Sequence, residues 1–295
     1  MKIVLSSLPN NHWWSKGMPK YEDNPAMIKG TIPNQIILEN EWNNLKNILS
    51  NFSFDLEIIP FPHSLDGNDP KNWKHDFIFV RDLFISNTKG DVVIARFRES
   101  QRTNEEQLIE KWLIQNQIKI HKLPYNKEYF MEGGEFYYCN NENILFAGLN
   151  RNNSIGNTKT AELLNVEELI QIKANAFHLD TFFTPVFNIK NELCLIIVCM
   201  DLIDNKSAII LKDFTRKRGI DLKSINPEEA LGTTNKLGSF AVNCLPLPGL
   251  LLSSGPFISN SINEALTEHN ISHKIIPLTQ FHLSGGSVHC LTNEI

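Results

Sequence analysis

Gly285-Gly286-Ser287-Val288-His289-Cys290-Leu291-Thr292, close to the end of the 295-residue sequence, holds the cysteine from which the rest of the chain is best read. A cysteine in an apolar strand is ordinarily inert packing material, and Cys139, Cys194, Cys199 and Cys244 all stand in such surroundings. Cys290 instead follows a glycine pair and has Ser287, His289 and Thr292 for neighbours, the setting of an accessible thiol. In an extended segment adjacent side chains point to opposite faces, so His289 is not expected to be its activating base.

Working outward, three further motifs place charge where charge is costly. In Phe79-Val80-Arg81-Asp82 a charged pair interrupts an apolar run, Phe77 to Ile85, and buried charge persists only when paired. An internal Arg81–Asp82 ion pair is the simple alternative. Glu132-Gly133-Gly134-Glu135 sets a carboxylate beside two residues without Cβ, which allows either a tight turn or a close approach to the backbone. His178-Leu179-Asp180 has its polar residues at i and i+2, on one face if the segment is a strand, as a catalytic pair or a satisfied core pair.

A thiol, a histidine and several carboxylates together suit a guanidinium group. It is planar, permanently charged and forked, so carboxylates can clamp it from two sides. Once held and desolvated, its central carbon is open to thiolate attack, and the bound cation itself helps depress the thiol pKa.

Short β-like runs alternate with helical patterns throughout, which predicts an α/β or α+β fold. Strands are expected at residues 2–6, 56–60, 91–96, 118–123, 136–139, 143–147, 182–189, 193–200, 239–245 and 274–278. Helices are expected at 34–52, 104–115 and 263–269. Residues 9–33, with Trp13, Trp14 and Met18, lack periodicity and read as a long loop, either a lid or a segment pinned to the core. No linker, repeat or charge block divides the chain, so residues 1–295 are expected to form a single domain.

With 42% hydrophobic and 21% charged residues the composition is that of a globular protein. The balance of 28 basic against 33 acidic residues leaves no basic excess to neutralise phosphates, so nucleic acid is not an expected partner. The apolar opening is too short for a secretory signal, and no run approaches the roughly 20 residues of a membrane span. Five cysteines without a CxxC pair suggest neither disulfides nor a thiolate metal site. A cytoplasmic protein with no membrane partner is expected, and a homodimer is the default oligomer.

The four motifs, in this order and with Cys290 near the C-terminus, resemble the pentein superfamily of guanidine-modifying enzymes: arginine deiminases, dimethylarginine dimethylaminohydrolases and amidinotransferases. Asp91 to Arg96 followed by Arg102, Leu145 to Arg151, and Asn24-Pro25-Ala26-Met27 are similar to further elements of the group. The resemblance implies a five-bladed α/β propeller with pseudo-fivefold symmetry and a site in its central channel. It implies Cys290 as nucleophile, His178 as general acid and then base, Glu132 as its partner, and Asp82 and Asp180 as the guanidinium clamp. No metal or organic cofactor is implied. The implied activity is thiol-dependent hydrolysis of a small guanidino compound, arginine or a methylated arginine, to citrulline plus ammonia or amine. Transfer of the amidino group to an amine, and a pentein that only binds, are the alternatives.

The sequence departs from the superfamily pattern in places. The His178-Leu179-Asp180 triplet and Arg81-Asp82 are deiminase-like, whereas the length resembles the dimethylarginine hydrolases. Glu135 stands where an Asp is usual. Arg96 matches an arginine that binds the substrate α-carboxylate, but Asn152 stands where a second one is expected, with Arg151 one position early. If Arg151 does not substitute, the substrate is not a free α-amino acid.

Overall fold

A strand buried on both faces reads as an unbroken apolar run, and Val92-Val93-Ile94, Leu195-Ile196-Ile197-Val198 and Leu251-Leu252 are such strands, each at the centre of its own small sheet. The computed structural model describes residues 2–11, 24–125, 128–233 and 236–295. The first unit comprises β1 (Lys2–Ser6), α1 (Pro25–Lys29), α2 (Gln35–Ser50) and β2 (Asp55–Ile59). The second is β3 (Phe84–Ser86), β4 (Asp91–Ile94), α3 (Glu105–Gln115) and β5 (Lys119–His121). The third is β6 (Phe136–Cys139), β7 (Ile144–Gly148), α4 (Ser154–Leu163) and β8 (Glu168–Ile172). The fourth is β9 (Phe183–Phe187), β10 (Leu193–Val198), α5 (Asn205–Arg218) and β11 (Asp221–Ser224), followed by the short α6 (Pro227–Ala230). The fifth is β12 (Leu245–Leu247), β13 (Leu250–Ser253), α7 (Asn260–Glu268) and β14 (Ser272–Ile275). The short α8 (Val288–Leu291) and β15 (Asn293–Glu294) follow.

The five three-stranded sheets share one plan. The central strand pairs antiparallel with the strand before it through a hairpin, and parallel with the strand after it, as β6-β7-β8 and β9-β10-β11 show. A parallel pair needs a crossover, and a helix supplies it in every unit. The first unit has no preceding strand of its own. Its place is taken by β15, with Ile3 opposite Glu294 and Val4 opposite Asn293, so the first and last strands close one sheet.

Local chemistry sets the helix ends. Asn34, Asn153 and Asp204 accept hydrogen bonds from backbone N–H groups in the first turns of α2, α4 and α5, as N-caps do. The α5 helix stops where Gly219 takes φ +65°. Aromatic rings fill the spaces between units: Phe146 packs 5.0 Å from Phe183 and 5.5 Å from Phe214, joining the third unit to the fourth. Replacing so buried a ring with alanine costs about 3–5 kcal/mol.

Expected helices 34–52, 104–115 and 263–269 correspond to α2, α3 and α7, and most expected strands lie within a residue or two of observed ones. The expected strand 239–245 is a correction: only Leu245 enters a strand, and the irregular chain before it turns Asn243 inward. Residues 274–278 are corrected to β14, shifted towards Ser272. Within the expected loop 9–33, Asn24 caps α1 by accepting from Ala26 and Met27, while Trp13, Trp14 and Met18 lie outside the described residues.

Candidate active site

The segment just ahead of the first strand of a unit recurs as a carrier of polar side chains. Asp82 lies in the turn before β3, Glu132 begins the turn before β6, and His178 and Asp180 belong to the turn before β9. Asn243 stands two residues before β12, and Cys290 sits in α8 ahead of β15. Asp82, Glu132, His178, Asp180 and Cys290 line one cavity of about 30 Å³, with Asp76 and Arg102 also in its wall.

The glycine pair is explained by what approaches it. A Cβ on Gly134 would lie 2.5 Å from Asp82 Oδ1 and 2.7 Å from His178 Nδ1, and one on Gly133 would lie 1.9 Å from the Arg81 carbonyl oxygen. The backbone of this turn is therefore a wall against which the Asp82 and His178 side chains lie. Glu135 anchors that wall: its Oε1 accepts from the N–H groups of Asn150 (2.8 Å) and Arg151 (2.5 Å), and Oε2 from that of Leu179 (2.8 Å).

His178 Nε2 is 2.9 Å from Glu132 Oε2, and Nδ1 is 3.6 Å from Asp82 Oδ1. Burial alone lowers the His178 pKa, but the surrounding carboxylates of Asp82, Glu132 and Glu135 outweigh it and push the value up to about 9. Burial likewise raises Glu132, and its bond and charge interaction with His178 more than reverse this. The pair is held as imidazolium and carboxylate at neutral pH. Asp82 is engaged on both oxygens, Oδ2 by Arg102 Nη1 at 2.5 Å and Oδ1 by the Gly134 N–H at 3.2 Å. A carboxylate has about four acceptor sites, so capacity remains.

The thiol of Cys290 is only 6% exposed at the residue level and sits on a short helix. Both facts correct the expectation of an accessible thiol on an extended segment, because the turn folds Cys290 under the neighbouring units. Its Sγ accepts from Asn243 Nδ2 at 3.1 Å and stands 3.5 Å from Asp180 Oδ2. Burial, then the Asp180 and Asp82 charges, raise the thiol pKa well above its ordinary value. His289 does not contact the sulfur. Its Nδ1 is 2.8 Å from Asp180 Oδ2, its ring stacks on Tyr137, and burial first, with Arg81 and His178, keeps it neutral.

Asp180 lies in a tight turn ahead of β9, and the i, i+2 spacing brings His178 and Asp180 into one cavity through that turn. Asp180 Oδ1 is buried without a hydrogen-bond partner, and burial pushes its pKa up to about 7. An unsatisfied buried acceptor beside a thiol and an imidazolium is a place for a cationic donor. Arg81 and Asp82 do not pair with each other: Arg81 makes a bidentate pair with Glu294, at 2.7 and 2.9 Å. Among the described residues no cluster of three or more His, Cys, Asp or Glu side chains could hold a metal ion.

The sequence profile of the family described as "N,N dimethylarginine dimethylhydrolase, eukaryotic" matches residues 40–295, most of the chain. The chain belongs to that family. It is thereby a pentein-type, guanidino-processing enzyme. An uncharacterized protein of Caenorhabditis elegans is 22% identical over 92% of this chain and 88% of its own. The bifunctional arginine dihydrolase/ornithine cyclodeaminase ArgZ of Synechocystis is 26% identical over 70% of this chain, and the bifunctional arginine dihydrolase/ornithine cyclodeaminase AgrE of Nostoc 25% over 86%. The matches span only 27% and 33% of those two relatives. Among solved structures, the N-terminal domain of ArgZ bound to substrate superposes with a TM-score of 0.78 at 20% identity, covering 99% of this chain and 98% of that one. A dimethylarginine dimethylaminohydrolase adduct gives 0.69 at 13% identity, covering 100% and 99%.

Two residues assigned by resemblance to this pentein's substrate site are not in the cavity wall, although Arg151 packs on Phe177, which is. Arg96 donates to the Pro124 carbonyl and lies over Tyr125. Arg151 is buried against Phe177, its guanidinium 4.2 Å from the ring centre and Nη1 3.4 Å from Glu99. Neither lines the cavity. Sequence reasoning missed Asn243, Asp76 and Arg102. For Asn243 the signal lay in the repeat of units: the other four units place their cavity residues just ahead of the first strand, and Asn243 holds that position in the fifth.

No helix among the described residues is long and apolar enough to cross a membrane.

Proposed function

We propose that this pentein hydrolyses a C–N bond of a small guanidino compound through an amidino-thioether on Cys290. The observation that carries the reading is the unpartnered Asp180 Oδ1, held in one cavity with the Cys290 thiol, the protonated His178 and the Asp82 and Glu132 carboxylates. A guanidinium there donates to Asp180 Oδ1, to Glu132 and to the acceptor sites Asp82 has left. Its charge offsets the anions that raise the thiol pKa, so the substrate activates its own nucleophile.

The Cys290 thiolate adds to the guanidinium carbon, forming a C–S bond. A terminal C–N bond then breaks, and the departing nitrogen takes a proton from His178 Nδ1, leaving as ammonia or an amine. Neutral His178 removes a proton from water as its oxygen attacks the same carbon, the C–S bond breaks, and the thiolate returns with a ureido product. Asn243 steadies the sulfur in both halves, and Glu132 fixes the imidazole. Arginine or a methylated arginine is the proposed substrate, a choice supported by the family name and by the arginine dihydrolase activity named for two relatives, with citrulline as the product of a single hydrolysis. Arg96 and Arg151 are proposed to act at the rim of the site.

The common plan of the five sheets, and the one segment each unit contributes, support a five-bladed α/β propeller with pseudo-fivefold symmetry in one catalytic domain spanning residues 1–295.

The test is incubation with arginine, its methylated forms, agmatine and guanidinoacetate, with ureido products and the Cys290 peptide followed by mass spectrometry. A ureido product, an amidino adduct on Cys290 after acid quench, and loss of both in a folded Cys290→Ala protein are expected. Retained turnover in that variant overturns the mechanism, and absence of any ureido product overturns the activity.

A further inference from the structure

A string of polar side chains runs behind the nucleophile, outside the wall of the catalytic cavity. Ser287 is fully buried, and its Oγ lies 2.5 Å from the Oγ of Ser254, the residue that follows β13. Ser254 Oγ is in turn 2.8 Å from His282 Nε2, in the turn Phe281–Ser284. Phe240 fixes that imidazole. Its ring stacks on His282 at 4.0 Å with the planes 14° apart, and its backbone takes φ +54°, a left-handed conformation that a bulky residue rarely adopts. The same segment presses on the neighbour of Ser254, since a Cβ on Gly255 would lie 2.2 Å from the Ser239 carbonyl oxygen.

The string draws Ser287 away from its ordinary partner. Ser287 is the N-cap of α8, and a serine there usually accepts from the N–H two or three residues on, here that of His289 or Cys290. Its side chain accepts from neither. Asn243 holds the second place: the Cys290 N–H donates to Asn243 Oδ1 at 3.3 Å, while Asn243 Nδ2 donates to Cys290 Sγ at 3.1 Å and to the Asp180 carbonyl oxygen at 3.2 Å. The bond from the Cys290 N–H is longer than the usual ~2.9–3.0 Å, so a local acceptor competes with it well. An amide released from the Cys290 N–H is free to pivot about its bond to Asp180 and leave the sulfur.

We propose that His282, Ser254 and Ser287 are positioning residues for the nucleophile: by holding the Ser287 hydroxyl off the end of α8 they reserve the Cys290 N–H for Asn243, and so keep the Asn243 amide on the sulfur. This rests on the thiol chemistry proposed above and deepens it. Burial lowers the His282 pKa to about 4, so replacing His282 removes no charge at neutral pH, and its effect on the thiol passes through the hydrogen bonds.

The test reads iodoacetamide alkylation of the Cys290 peptide across pH, which needs no turnover, beside kcat and KM on arginine. His282→Leu and Ser254→Ala, each checked for folding by urea unfolding, free the Ser287 hydroxyl to cap Cys290. Each is expected to slow alkylation about five- to tenfold at a fixed pH below the thiol pKa, and to lower kcat as much with KM unchanged. His282→Gln, whose amide reaches the place of Nε2, is expected to keep most of the reactivity. In a Ser287→Ala background no hydroxyl competes, so adding either substitution is expected to change alkylation less than about twofold. If His282→Leu does not fold, Ser254→Ala alone carries the comparison. Alkylation unmoved in a folded single variant overturns the inference, and so does a loss that persists undiminished in Ser287→Ala, which packing alone would explain. The expected alkylation pattern without turnover of arginine supports the inference and counts against the hydrolase reading only.

Discussion

Replacing Asn243 by alanine removes the amide that donates to Cys290 Sγ at 3.1 Å, and with it the acceptor for the Cys290 N–H at 3.3 Å. A hydrogen bond to a charged acceptor contributes about 1.5–3 kcal/mol. If the bond favours the thiolate, its loss raises the thiol pKa by roughly 1–2 units and lowers the thiolate fraction about 10- to 150-fold below that pKa. The assay is the pH dependence of alkylation at Cys290, read on its own peptide by mass spectrometry so that the other four cysteines do not contribute. A fall in kcat/KM of the same size should accompany the shift. Urea unfolding supplies the control, with a loss of about 1–3 kcal/mol expected from the orphaned N–H. A folded Asn243→Ala protein whose alkylation profile is unmoved would refute the assignment of Asn243 to the sulfur.

Glu135→Ala leaves the N–H groups of Asn150, Arg151 and Leu179 without their acceptor, and about 3 kcal/mol or more of stability should be lost in urea unfolding; an unchanged midpoint contradicts this. The kcat/KM profile should rise near pH 7 as Asp180 ionises, keep rising with the Cys290 thiolate, whose pKa is held well above its ordinary value, and level off near pH 9 as His178 loses its proton. Asp180→Asn should abolish the lower limb, and its survival would assign that limb to another group. The His178 pKa is raised on folding, so its contribution to stability is fully present below the unfolded pKa and is lost as pH rises through about 9, which urea midpoints across that range will test. Gly134→Ala forces Asp82 and His178 apart and should lower kcat/KM by about 100-fold; near-normal turnover would mean the turn can yield.

The elements the sequence disclosed were those with a strong period or a long apolar run. The Trp42 and Leu45 face of α2 and the runs of β7 and β10 are legible because they are buried without interruption. Strand β11 was not, since its residues Asp221 to Ser224 are at most partly covered and carry no alternation. Helix α4, Ser154-Ile155-Gly156-Asn157, has a weak apolar stripe and takes its place from its cap and its neighbours. Cys290, His178, Asp180, Glu132 and Asp82 were legible as charges and thiols in apolar surroundings, and they do share a cavity. Their conformations were not: turns of three or four residues leave little trace in periodicity, so the conformation at His178 stayed open and Cys290 was expected to be accessible. Asn243 was invisible because a single amide before an apolar strand looks like any loop residue until five units are laid over one another.

The pairing of Ile3 with Glu294 has a consequence for how the enzyme comes into being. The strand that holds Ile3 is complete only when Asn293 and Glu294 pair with it, a contact between residues about 290 positions apart. Such contacts carry a large closure cost and form late. Cys290 stands three residues before that strand, so its thiol cannot be placed among the carboxylates until every other unit has been synthesised. A chain cut short before Cys290 therefore leaves the cavity without its thiol, and under the proposed mechanism the appearance of activity reports the closing of the final sheet.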